Sequence, residues 1–158
     1  MTNPLHTIVG FFADFPVTQQ AVEPAGKELA TFFYQELLKA GFVASAPEDY
    51  EGWAWDICTS DGAAHVTTRV GLVDDMDTAP PRQWLVTNEG STMRPLLKRL
   101  FGGDNFNKAL ADEKQEMLLR RVCETLHTVT KRESRFSHLT WYNERTFDKP
   151  GDVPNDKP

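Results

Sequence analysis

From Ala25, apolar side chains return at Leu29, Phe32, Phe33, Leu37 and Ala40, the spacing of one helical face. Pro24 suits a first turn, where a missing N–H costs nothing, and Gly41 suits the left-handed position just past a last turn. Pattern and punctuation together predict a helix over 24–40, with Phe42 packing back on its end. The period then changes to two. Trp53, Trp55 and Ile57 alternate with Ala54, Asp56 and Cys58, and Val66, Thr68, Val70 and Leu72 alternate with His65, Thr67 and Arg69. Ser60-Asp61-Gly62-Ala63 separates the runs. Asp-Gly in that place predicts a hairpin with a type I′ turn, which needs positive φ at both central residues. A turn centred on Asp61-Gly62 sets Ile57 opposite Val66, Trp55 opposite Thr68 and Trp53 opposite Val70 on a buried side. The other side then pairs Cys58 with His65, Asp56 with Thr67 and Ala54 with Arg69.

The remaining stretches are less regular. Residues 7–15 form a first strand or an extended arm, and 16–24 and 43–51 are loops. Asp74, Asp75 and Asp77 with Pro80 and Pro81 make an acidic loop. Residues 82–88 are a third strand, ended by Gly90 and Ser91, and Ser91 caps a short helix from Thr92 to about Phe101. Gly102-Gly103 breaks that helix. A second long helix runs to about 131, with Asp112 and Gln115 resembling a capping box and Met117, Leu118, Val122, Leu126 and Val129 as its buried stripe. A last strand covers 136–146. From 148 the chain is Pro-rich with Val153 as its one apolar residue, which predicts a disordered tail over 148–158. The order is (β)-α-β-β-β-α-α-β. Strands cluster between helices, so the predicted class is α+β: one domain over 1–147, an antiparallel sheet of a three-strand meander plus a C-terminal strand, with helices on one face.

A chain of 158 residues buries enough surface to need no disulfide or metal. The net charge is −6, unevenly spread: residues 1–90 carry 4 basic and 13 acidic side chains, and residues 91–158 carry 13 and 10. Such polarity either neutralises internally or steers the acidic side toward a basic partner. No apolar run approaches the ~20 residues of a bilayer span. The N-terminal stretch has no basic region and Asp14 breaks its apolar run, so it does not read as a signal peptide. Cys58 and Cys123 have no CxxC spacing. The expectation is a reduced, cytoplasmic protein without a membrane association.

Candidate chemistry is sparse. Opposed residues of an antiparallel pair stand ~5 Å apart, so Cys58 and His65 are within reach of each other, with Asp56 one step along. A thiolate–imidazolium pair is the core of a cysteine nucleophile, but a mid-strand cysteine lacks oxyanion donors, and a small hydrophobe beside a histidine is the plainer reading. The acidic loop lacks EF-hand spacing, the histidines are scattered, and no GxGxxG, P-loop, GxSxG or HExxH occurs, so no cofactor or metal is expected. Basic residues at Arg94, Lys98, Arg99, Arg120, Arg121, Lys131, Arg132 and Arg135 share their helices with acidic ones, and the acidic total opposes nucleic-acid binding. What remains is binding without catalysis. The sequence reads as a protein-binding module of immunity or inhibitor type, an analogy of size and acidity only. Its acidic surface and exposed sheet face offer Asp56, His65, Arg69, Asp74, Asp75, Asp77 and Trp141 as contacts. The alternatives are an adaptor or chaperone-like homodimer, pairing by sheet edge or helix, and a cysteine-dependent enzyme using Cys58 and His65.

Overall fold

A computed structural model of the chain describes residues 5–17, 23–92, 105–143, 147 and 154–158. The first helical face forms where its spacing places it, as α1 (Lys27–Lys39). It starts after Gly26, which caps it at φ 101. It ends in a Schellman turn: Gly41 takes φ 89, its N–H donates to Leu38 O at 3.0 Å, and Phe42 N–H donates to Leu37 O at 3.1 Å. Leu29, Ala30, Phe33 and Leu37 are buried.

The chain is mixed α+β, with seven strands in one antiparallel sheet and two helices among the described residues. The strands are β1 (Ile8–Ala13), β2 (Val43–Ala44), β3 (Glu48–Tyr50), β4 (Ala54–Asp61), β5 (Ala64–Leu72), β6 (Arg82–Thr92) and β7 (Phe136–Tyr142). Their order is β2-β4-β5-β6-β1-β7, with β3 also on β4. The stretch 43–51, expected as a loop, instead supplies the two short strands β2 and β3.

The hairpin exists, but its register differs by two residues from the expected one. Asp61 pairs with Ala64, Asp56 with Arg69 and Trp55 with Val70. The loop is Gly62-Ala63, and only Gly62 takes positive φ (61°), the type II′ arrangement in place of I′. Because the slip is an even number, every side chain within β4 and β5 keeps its face. Trp55, Ile57, Thr59, Val66, Thr68 and Val70 are buried, while Asp56, Cys58, His65, Thr67 and Arg69 lie on the other, outer side.

β6 runs through Gly90 and Ser91 to Thr92, because those residues pair with Val66, His65 and Ala64. Thr92 is thus strand, and the rest of the expected short helix, with Gly102-Gly103, lies outside the described residues. The second helix, α2 (Asn105–Arg132), is continuous through Asp112, so the expected capping box is interior to it. Among its described side chains, Gln115, Leu118, Val122, Cys123, Leu126, Val129 and Thr130 are buried. Met117 sits two residues from Gln115, about 200° round the helix, and is exposed. Gln115 meets the sheet: its Oε1 accepts from His65 N–H at 3.0 Å and its Nε2 donates to His65 O at 2.6 Å.

Both helices cover the inner sheet face. Phe136 lies at the centre of the core's aromatic group, with Phe11, Phe15, Phe32 and Phe33 rings 4.9–5.8 Å away. Trp84 is fully buried on this face and donates its indole N–H to Ala13 O at 3.2 Å. β7 ends at Tyr142, short of the expected 146. Beyond it, Asn155 forms an antiparallel bridge with Trp141, so order reaches into the segment expected to lack it. No described helix is long and apolar enough to cross a membrane.

Candidate functional site

The outer face acquires its most distinctive group from one turn. Tyr50 ends β3, and Glu51 and Gly52 both take positive φ (51° and 78°). Trp53 N–H donates to Tyr50 O at 3.2 Å, and Asp49 Oδ1 accepts from Gly52 N–H at 2.8 Å. Tyr50 pairs with Ala54, so Trp53 is the extra residue of a three-residue loop. That residue leaves the alternating frame. Its ring folds over the outer face, 3.4 Å from where a Cβ on Gly71 would stand, and it is 55% exposed. The sequence reading placed Trp53 inside with Trp55, and the turn reverses that.

Beside it, Arg69 is fixed twice. Its Nε and Nη2 donate to the two carboxylate oxygens of Asp56, its register partner, each at 2.8 Å. Its guanidinium lies 3.4 Å from the Tyr50 ring centroid. The Asp56 bond holds Arg69 above the usual arginine range. Tyr50 meets Trp53 edge to face at 5.6 Å. Asp56 and Arg69, both expected as contacts, therefore cancel each other's charge and stiffen an aromatic ledge.

The acidic loop lies at the same end of the sheet, because β5 ends just past Gly71 and the loop follows. Asp74 is half-buried and structural: its Oδ2 accepts from Gln83 N–H at 2.7 Å, closing the loop onto β6. Asp75 and Asp77 are exposed, as are Val73 (52%) and the carboxylates Glu48, Glu51 and Glu89. The outer face and the loop beside it therefore carry an exposed indole, an exposed valine and several exposed carboxylates.

The other expected site residues are elsewhere. His65 stands at the opposite, hairpin end of the outer face, its backbone held by Gln115. It is diagonal to Cys58 rather than opposite it, with Sγ to Nδ1 at 3.9 Å. Burial and then Glu48 push the Cys58 thiol above its ordinary range, which opposes a thiolate. Alkylation of Cys58 by iodoacetamide is accordingly expected to be slow at pH 7, with its midpoint above that of a free cysteine near 8.5. A midpoint below 7.5 in a rate–pH profile would revive the nucleophile.

Trp141 was expected as an exposed contact, but it is fully buried on the inner face. His138 takes φ 55 and the β1–β7 register shifts there, which turns Trp141 inward. Its indole donates to His127 Nδ1 at 3.1 Å, so His127 accepts in its neutral form. Burial, and then Lys131, hold His127 below the usual histidine range.

A concavity of about 630 Å3 opens between α1 and α2 over Glu36, Phe42, Arg121 and Arg132. Its charges are largely spent internally. Buried Glu36 accepts from Lys39 at 2.7 Å and Arg132 at 2.6 Å, and the Lys39 bond leads in holding its carboxyl below the ordinary range. Among the described residues, no three His, Cys, Asp or Glu side chains converge as metal ligands.

The chain matches no protein-family model, no curated protein and no solved structure. Tyr50, Glu48, Glu51, Val73 and Glu89 were not anticipated from sequence, and Trp53 was expected inside. The available signal was Gly52 directly before the alternating run, a turn residue one position ahead of Trp53.

Proposed function

We propose that this chain is a non-catalytic protein-binding module that receives a basic segment of a protein partner at the Trp53 end of its outer sheet face. The observation that carries this reading is the half-exposed Trp53, held on a stiffened ledge at the end of the sheet from which the loop with exposed Asp75 and Asp77 leaves. Exposed aromatics with a polar rim are the anatomy of a contact hot spot. The indole accepts an aliphatic stem or a cation over its ring, and the carboxylates take the charged head. Since Asp56 neutralises Arg69, the face is acidic at this end, and encounter with a basic partner is steered.

The test uses a Trp-free peptide alternating Lys and Leu, with a Glu and Leu peptide as control. Trp53 is the one exposed tryptophan among four, so its emission reports occupancy. Saturable binding of the Lys peptide is expected, weakening as salt rises from about 0.02 to 0.3 M. Read by isothermal titration calorimetry, since the variant lacks the reporting indole, Trp53→Ala should abolish binding, and the Asp75→Asn/Asp77→Asn pair should weaken it about tenfold or more at low salt. Asp74 is left in place because it closes the loop. Equal binding of the two peptides, or full binding by Trp53→Ala, overturns the reading.

A further inference from the structure

His127 and Trp141 meet where the C-terminal segment touches the sheet. An indole can only donate, so the 3.1 Å bond from Trp141 makes His127 Nδ1 an acceptor and puts the proton of the neutral imidazole on Nε2. The two rings stand edge to face, 6.0 Å between centroids. Trp141 is fully buried, so water cannot stand in for Nδ1.

The same residue holds the terminal segment. Trp141 N–H donates to Asn155 O at 2.7 Å, and Asn155 N–H donates to Trp141 O at 2.9 Å. Both backbone groups of Trp141 therefore point away from Val9, its partner on β1, and the β1–β7 ladder is bonded through the residues on either side. Residues 154–157 are exposed, so little packing backs the two bonds to Asn155. Among the described residues, the charges that bear on His127 are Lys131 on its own helix and Asp156 and Lys157 on the segment. β7 faces it with Trp141, which does not titrate.

We propose that His127 and Trp141 form an acid-sensitive latch: neutral His127 keeps segment 154–158 on β7, and protonation of His127 releases it. A proton on Nδ1 sets two N–H groups against each other, and neither can accept. In a close-packed interior the indole has no room to turn alone, so it is relieved only when residue 141 shifts. That shift leaves the ladder to β1 in place and breaks the Asn155 rung. Charge does not oppose it. Burial and then Lys131 disfavour the imidazolium, while Asp156 favours it and Lys157 disfavours it, and those two leave together with the segment. The closed state keeps His127 neutral, so closure is complete above the ordinary histidine value of about 6.5 and weakens as the pH falls below it. The latch lies on β7, at the other end of the sheet order from β2 and β4, and rests on nothing proposed for the Trp53 ledge.

Amide exchange on the full chain between about pH 8 and about pH 5 tests the latch. The Trp141 amide is compared at each pH with the Thr7 amide, which donates to Tyr142 O inside the sheet, so the intrinsic pH dependence of exchange cancels. The ratio of the Trp141 rate to the Thr7 rate should be level above about pH 7 and rise below about 6.5, by up to about tenfold per unit. His127→Gln offers the indole an amide oxygen that does not titrate, and should keep the ratio level. A level ratio in the unaltered chain, or an equal rise in His127→Gln, overturns the proposal. Asn155→Pro supplies an independent arm, because it removes the N–H that Asn155 gives to Trp141. By linkage, a segment that protonation releases must itself resist protonation, so the His127 midpoint followed by NMR should move up toward about 6.5 in this variant. A midpoint unchanged or lower overturns the proposal.

Discussion

Replacing Gly26 by alanine is expected to destabilise the fold by ~2–5 kcal/mol, combining a left-handed backbone with an overpacked contact. Gly26 holds φ 101, and a Cβ there would stand 2.8 Å from Cζ3 of Trp84. Trp84 has nowhere to go: it is fully buried and its indole is tied to Ala13 O. Gly41→Ala is the matched control. That glycine also has positive φ, 89°, but nothing lies within 4 Å of its Cβ position. It should lose only the backbone part, ~1–2 kcal/mol. Urea denaturation of the two variants separates the effects, and equal losses would show that the Trp84 contact contributes nothing.

The second large effect is expected at Gln115. Removing its side chain by Gln115→Ala leaves both backbone groups of His65 without the partners they have now. A buried group left unsatisfied costs ~1–3 kcal/mol, and because these two are part-buried and water can reach them in part, a loss of about 1–3 kcal/mol in all follows. Gly90→Ala reaches the same bonds from the sheet, since its Cβ would stand 2.5 Å from Gln115 Nε2. A flexible amide ordinarily swings away cheaply, but this one moves only by releasing His65. The two substitutions therefore share one cause, and the double variant should cost clearly less than the sum of the singles. Strict additivity in the denaturation cycle would show that Gly90 acts elsewhere.

Periodicity carried the fold class, because alternation and helical spacing report which side of an element is buried. It gave the inner and outer sides of β4 and β5 correctly even with the register two residues off, since an even slip preserves parity. It failed wherever a single residue was inserted into the frame. Trp53 is such an insertion, at the β3–β4 turn. In β7, Phe136 and Trp141 are five residues apart yet both buried, which alternation forbids and the left-handed His138 allows. Both errors fell on tryptophans, and together they exchanged the expected anchor, Trp141, for the exposed one. Asp56 and Arg69 were placed on the right face, but their pairing depended on the register. The carboxylates of Asp75 and Asp77 were legible as exposed because nothing near them in sequence competes for them, whereas the bond from Gln83 to Asp74 depends on how β6 returns beside the loop.

The position of β1 has a consequence for how the chain is made. Ile8 pairs with Thr87 on one side and with Tyr142 on the other, so β1 is made before either neighbour and finds both only after β7 has followed it. The β4–β5 hairpin can form locally and early, but the inner aromatic group assembles only once Phe136 has been made. Until then Val9 and Phe11 are greasy, unshielded ribbon, and the nascent chain has a long interval in which a chaperone or a wrong neighbour can take hold of them.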